Sequence, residues 1–222
     1  MKFKFLIFPT IIAVAIYGVI NICYSFGRQT SVTDVPYQNV MESVASSVHY
    51  RIEQAKGFST CTGVVIKNKR DIAVIATAKH CVSPDSKIYV ENILVSKIIK
   101  HPTRDLALVF LSKGLLNKTP AKIPTRKHQI FDRIYHVGFP NSIMYSQGTT
   151  LRQSYYQDIG LIKVIKGCSG GGVYNIKGEL VGIAVAKLGD FGLYESTRAL
   201  MTFVAEQDLE KIIKELKTNT KK

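Results

Sequence analysis

Apolar residues fall along this chain in short runs, rich in valine and isoleucine and separated by polar turns. Runs at 47–52, 62–66, 72–76, 88–90, 93–99 and 106–111 read as one set of strands. A slack segment at 112–128 holds Gly114, Pro120 and Pro124 and reads as a connector. A second set follows at 133–139, 143–146, 157–163, 172–174, 180–186 and 199–203. Strand-period and helix-period stretches do not alternate, which argues against an α/β sheet. Two groups of about six short strands fit two small closed barrels, so the expected fold class is all-β. The period changes at the end, where Leu209, Ile212, Ile213 and Leu216 recur at helical spacing. Glu206 and Asp208 begin that C-terminal helix, about 205–217, and Lys214 and Lys217 close it, as the helix dipole favours.

Ahead of the strands the pattern is different. Lys2 and Lys4 precede a mostly apolar stretch from Phe5 to about Ile22, expected to be an N-terminal apolar helix. Residues 1–25 thus read as a signal anchor or a signal peptide. The stretch is near the minimum length for a span, and no clean small-residue cleavage site follows it. A single membrane anchor, lysines in the cytoplasm, is favoured over cleavage. Either way the remainder lies outside the cytoplasm, periplasmic or extracellular, and is secreted if the segment is cut. Residues 26–43 are polar and mixed and read as a linker. That leaves 44–222 as the folded domain, with barrels at about 44–111 and 129–204.

Composition adds a basic balance. The chain has 222 residues and a formal net charge of +14. Such a surface can attract nucleic acid or anionic lipid, and steep salt dependence of binding would reveal that function. The lysines are scattered and form no arginine-rich block, so a solvated basic surface is the plainer reading. No specific nucleic-acid partner is expected. Five scattered histidines lack metal-ligand spacing, so neither metal nor other cofactor is expected. The oligomeric state is not encoded.

The chemistry centres on Gly167-Cys168-Ser169-Gly170-Gly171, between two apolar runs. Glycines allow a turn tight enough to aim backbone N–H groups inward. The N–H groups of Gly167 and Ser169 would form an oxyanion hole beside the Ser169 hydroxyl. A serine needs a base, and the base needs an orienting group. His80 closes the run 72–76 and is the candidate base; Asp105 opens the run 106–111 and is the candidate orienting carboxylate. Cys168 competes as a nucleophile, but the glycines flank Ser169 in the register a serine nucleophile needs. Of the other histidines, His101 reads as a turn residue and His136 as a core residue.

With His80, Asp105 and Ser169 in that order, the chain resembles the chymotrypsin-like, or trypsin-like, serine proteases. Cys61-Thr62-Gly63 and Thr77-Ala78-Lys79-His80-Cys81 resemble two further segments of that family. Gly138-Phe139-Pro140 and Gly178-Glu179-Leu180-Val181-Gly182 are similar to bacterial periplasmic proteases of the high-temperature-requirement type. The resemblance implies two six-stranded antiparallel barrels and a polypeptide substrate. It also implies a serine endopeptidase with a His80–Asp105–Ser169 triad and a Cys61–Cys81 disulfide. Lys79 stands where the family has a small residue, and is read as solvent-facing. By the same resemblance Lys163, Val164, Val185, Ala186 and Lys187 wall the pocket for the residue before the scissile bond. Lys163 pointing inward would select acidic residues; Lys163 turned outward would leave a small apolar pocket, the favoured case. A catalytically idle peptide-binding module and an esterase remain the alternatives.

Overall fold

The computed structural model describes residues 35–54, 57–83, 86–126, 128–154 and 157–219. The expected apolar N-terminal segment lies outside the described residues. No helix among the described residues is long and apolar enough to cross a membrane.

The chain is mostly β, as its pattern predicts. The first half comprises β1 (Ser47–Gln54), β2 (Gly57–Lys69), β3 (Ile72–Thr77), β4 (Lys87–Val90), β5 (Ile93–Leu94), β6 (Lys97–Lys100) and β7 (Ala107–Leu111). They form a seven-stranded antiparallel half-barrel in the order β5-β4-β1-β2-β3-β7-β6. The run 93–99 was expected as one strand. It breaks after Leu94, and its two pieces pair with opposite ends of the sheet, β5 with β4 and β6 with β7. The second half comprises β8 (Arg133–Gly138), β9 (Met144–Arg152), β10 (Asp158–Gly160), β11 (Gly172–Asn175), β12 (Leu180–Leu188) and β13 (Phe191–Ser196). These close a six-stranded barrel in the order β10-β13-β12-β11-β8-β9.

Strand alternation explains why β3 and β7 read as continuous apolar runs. Ala73, Ile75, Ala107, Val109 and Leu111 pack inside the half-barrel. Ile72, Val74, Leu108 and Phe110 face the other way, against Tyr135, Val137, Tyr174, Leu180 and Ile183 of the closed barrel. Successive side chains point to opposite faces, and here both faces are buried. The seam between the two halves is therefore a hydrophobic core of its own. Ile134, Ile162, Val164, Val173, Val181 and Tyr194 fill the closed barrel.

Two elements differ from expectation. Residues 199–203, read as a strand, belong to a helix, α2 (Thr197–Ala205), and the sixth strand of the barrel is β13. Ser196 caps α2 by accepting from the Ala199 N–H, and Ala199, Leu200 and Phe203 bury one helical face. The short apolar run fits either period; the capping serine decides it. Part of the expected linker is also helical, α1 (Tyr37–Ser46). Its serines dock it: Ser43 Oγ meets Tyr135 Oη at 2.7 Å and Ser46 Oγ meets Tyr174 Oη at 2.9 Å. Each phenol is buried and has a second partner on or beside the same helix, Asn39 O for Tyr135 at 3.1 Å and Ser47 Oγ for Tyr174 at 3.4 Å. The expected C-terminal helix is α3 (Leu209–Asn219), and its Ile212 and Leu216 reach the seam.

Candidate active site

Three loops converge where the two halves meet. His80 lies in a single 3₁₀ turn, Lys79–Cys81, directly after β3. Asp105 lies in the loop that enters β7, and Ser169 in the turn between β10 and β11. His80 Nδ1 and Asp105 Oδ2 are 2.7 Å apart, and the His80 backbone N–H donates to Asp105 Oδ1 at 3.0 Å. The carboxylate thus holds one residue at two points, fixing the ring's position. Partial burial acts to raise the Asp105 pKa. The hydrogen bonds from the His80 ring, the His80 N–H and the Lys79 N–H outweigh it, and the carboxyl lies below its ordinary range. About half of the His80 side chain, 47%, is open to solvent and therefore reachable by substrate.

The Ser169 turn is fastened to the half-barrel. Thr62 N–H donates to the Ser169 carbonyl at 2.8 Å. Thr62 Oγ1 donates to the Gly167 carbonyl at 2.9 Å and accepts from the Phe139 N–H at 2.8 Å. Gly170, at φ +84°, fits only without a side chain: a Cβ there would meet Thr62 O at 2.0 Å and Thr77 Oγ1 at 2.1 Å. The Ser169 carbonyl oxygen lies 3.6 Å from Cys81 Sγ, which puts the turn beside the residue that follows His80.

Within the turn, hydrogen bonding is selective. The N–H groups of Cys168, Gly170 and Gly171 donate to Ile165 O, Ala184 O and Cys168 O at 3.0, 2.7 and 2.9 Å. Among the described residues, those of Gly167 and Ser169 donate to nothing. Two donors left open beside a half-exposed serine can receive a developing negative charge. Cys168 is fully buried, and burial pushes its thiol pKa up. Its sulfur faces Met144 Sδ at 3.4 Å, inside the barrel and away from solvent. Geometry therefore favours Ser169 over its neighbour as the reactive side chain.

Cys61 and Cys81 are joined by a disulfide, as the resemblance implies. A ring nitrogen of His80 lies within 4.8 Å of both sulfurs, but sulfurs bonded to each other present no thiolate pair to a metal.

The expected specificity residues spread apart. Lys163 and Lys187 are exposed. Val164 is a barrel-core residue, packed with Ile162 and Tyr194, in the irregular segment after β10 where Ile162 and Val164 are buried and Lys163 between them is exposed. Val185 is buried against the half-barrel core and Ala186 is partly buried beside it. A cavity of about 670 Å³ lies elsewhere, lined by Arg104, Arg126, His128, Asp158 and Arg198 among others; none of His80, Asp105 or Ser169 lines it.

Several residues near the site escaped the sequence reading. Lys79 was read as solvent-facing. Its Nζ instead donates to the carbonyls of His101 and Pro102, at 3.1 and 3.4 Å, bracing the loop that carries Asp105. His101 is a turn residue, as expected, and its Nδ1 accepts from the N–H groups of Thr103 and Arg104. Thr62 and Thr77 gave one faint signal, as hydroxyls inside otherwise apolar strands. His136 is fully buried, as a core histidine should be.

No curated protein matches the chain. Among solved structures, an inactive form of Rv3671c from M. tuberculosis H37Rv superposes with a TM-score of 0.65 at 15% identity, over 80% of this chain and 94% of that one. The serine endoprotease from Yersinia pestis gives 0.65 at 22% identity, over 80% of this chain and 66% of that one. The scabies mite inactivated protease paralogue S-I1 gives 0.63 at 17% identity, over 79% and 96%. These similarities establish the fold. The trypsin-like peptidase domain family matches residues 61–183, more than half of the 222-residue chain. The chain belongs to that family and is a chymotrypsin-like serine protease.

Proposed function

We propose that the chain is an endopeptidase that cleaves peptide bonds through an acyl-enzyme on Ser169. His80 takes the Ser169 hydroxyl proton as Oγ attacks the substrate carbonyl. The N–H groups of Gly167 and Ser169 receive the resulting oxyanion. Asp105 holds the imidazole in the tautomer with Nδ1–H and stabilises the imidazolium. The tetrahedral intermediate collapses, the C–N bond breaks, and His80 delivers the proton to the leaving amine. Water, giving a proton to His80, then attacks the acyl carbon; the bond to Ser169 Oγ breaks as His80 returns that proton to Oγ, releasing the acid product and the free serine.

The observation that carries this reading is the doubled Asp105–His80 contact beside a turn with two open N–H groups. The scabies mite relative, called inactivated, is a reminder that the fold alone does not imply turnover. Here serine, histidine and aspartate are all retained. Labelling with a fluorophosphonate and mapping the modified residue tests the proposal. Modification at Ser169, lost in His80→Ala, is expected; a folded protein that hydrolyses peptides while Ser169 stays unmodified would overturn it.

The proposed location is outside the cytoplasm, held to the membrane by the apolar N-terminal segment. The Cys61–Cys81 disulfide supports an oxidising compartment. Membrane fractionation and protease accessibility of the full chain in intact cells test this, with a soluble cytoplasmic protein as the contrary result.

A further inference from the structure

The loop that carries Asp105 is tied across the seam by a buried ion pair that no motif in the sequence announces. Arg104 Nη1 and Glu195 Oε2 are 3.2 Å apart, with side chains 15% and 3% exposed. Arg104 immediately precedes Asp105 on the half-barrel side. Glu195 lies on β13 of the closed barrel, opposite Ile183 of β12. The Gln157 side chain and the Asp105 backbone N–H also lie near enough to the Glu195 carboxylate to lower its pKa. One buried carboxylate therefore holds the side chain of Arg104 and faces the main chain of the next residue, Asp105. Burial acts to raise the Glu195 pKa, and the Arg104 guanidinium opposes that most strongly.

A buried ion pair is a poor source of stability, because desolvating both charges consumes most of the attraction. It is a good source of geometry, since a charged pair has few satisfactory arrangements in a dry interface. The Asp105 carboxylate works only if it stays at 2.7 Å from Nδ1 and 3.0 Å from the His80 N–H. Those distances depend on where the main chain at 104–105 sits, and that main chain is what Glu195 holds.

We infer that Glu195, acting with Arg104, is a positioning residue for the Asp105–His80 pair, linking the alignment of the base to the docking of the two halves. Glu195 touches no reacting atom in this scheme. The inference rests on the proposed triad, so its test needs a readout that does not require turnover.

That readout is the titration of the His80 imidazole in the full chain, followed by NMR. In Glu195→Gln, the loosened Asp105 stabilises the imidazolium less, and the His80 pKa is expected to fall. Turnover of a peptide substrate is expected to drop about 10- to 100-fold in kcat, the size of effect a misplaced catalytic group produces, with KM changed less than about twofold. Arg104→Met/Glu195→Met separates geometry from charge, because it removes both charges and keeps the site apolar and filled. Positioning predicts that the double variant keeps the lowered His80 pKa and the lost turnover. A through-space charge effect predicts that both return to wild-type values, which would overturn the inference. A folded Glu195→Gln protein with wild-type His80 titration and kcat would overturn it equally. Failure of the wild-type chain to be labelled at Ser169 would reject the proposed chemistry instead, and the His80 titration would still decide the positioning role.

Discussion

Thr62 on β2 and Ser169 in the β10–β11 turn are joined by a backbone hydrogen bond, Thr62 N–H to Ser169 O, at 2.8 Å. The same threonine's hydroxyl bridges Gly167 O and the Phe139 N–H. One residue of the half-barrel thus fixes both ends of the nucleophile turn in the closed barrel. Thr62→Val keeps the shape and removes both hydroxyl bonds. It leaves the buried Gly167 carbonyl without that partner, at a cost of about 1–3 kcal/mol, and the partly buried Phe139 N–H at a smaller one. The expected result is a fall in kcat larger than the change in KM, with Thr62→Ser close to wild type. Steady-state kinetics on both variants checks it, and equal loss in the two would refute the hydroxyl's role.

Removing the nucleophile has a different signature. Ser169→Ala should abolish labelling and cut turnover by many powers of ten, leaving about 10³–10⁴ over the uncatalysed rate from binding and the oxyanion donors. Cys168→Ala should keep most of the activity, because that thiol is buried. Retained turnover in Ser169→Ala that alkylation then destroys would reverse the assignment.

The disulfide should contribute mainly to stability. Cys61 and Cys81 are separated by 20 residues. Chain-entropy reasoning gives about 3 kcal/mol for closing such a loop. Denaturant unfolding of Cys61→Ser/Cys81→Ser should show a loss of that order, and reductant should then have no further effect. A His80 titration close to wild type in that variant would confine the bridge to a structural role.

Stability should also fall on acidification above the carboxylate range. His136 is fully buried, and among the described residues neither ring nitrogen makes a well-formed hydrogen bond, while the nearby Cys168 main chain offsets only part of the effect of burial. Burial pushes its pKa down from 6.5 to about 4. A base with a lowered folded pKa binds protons more readily when unfolded. Its contribution is therefore complete above about pH 6.5 and is lost progressively as pH falls to about 4, reaching about 3 kcal/mol. His101, also lowered by burial and by Arg104, acts in the same direction. Unfolding free energies measured across that window should be flatter in His136→Phe; an unchanged slope would contradict the assignment.

Specificity should not rest on Lys163. Lys163 is exposed, and its carbonyl is engaged by Ser146 Oγ at 3.0 Å. An exposed ammonium is solvated and offers little to a buried acidic side chain. Digestion of a peptide library should show no preference for acidic residues before the cut, and a cleavage pattern unaffected by Lys163→Ala. Preference for Glu or Asp, lost in that variant, would show the opposite.

Much of this protein is legible along the chain. The strand runs and the connector follow from local periodicity and turn residues; the order His80, Asp105, Ser169 takes its meaning from the family the chain resembles. Gly167, at φ +94°, marks the tight turn before Ser169 in the sequence because a side chain there would meet Pro140 Cα at 2.6 Å. Strand or helix at 197–205 was not legible, since a short apolar run satisfies both periods and the Ser196 cap and the seam chose between them. The supports of the site were hidden for a second reason. Arg104 and Glu195 are 91 residues apart and sit on different halves, and Lys79 reaches carbonyls 22 and 23 residues away. A polar side chain that finds its partner across a fold leaves no period in the sequence. Local chemistry fixed which residues could react; the packing of one half against the other decided which residues hold them in line.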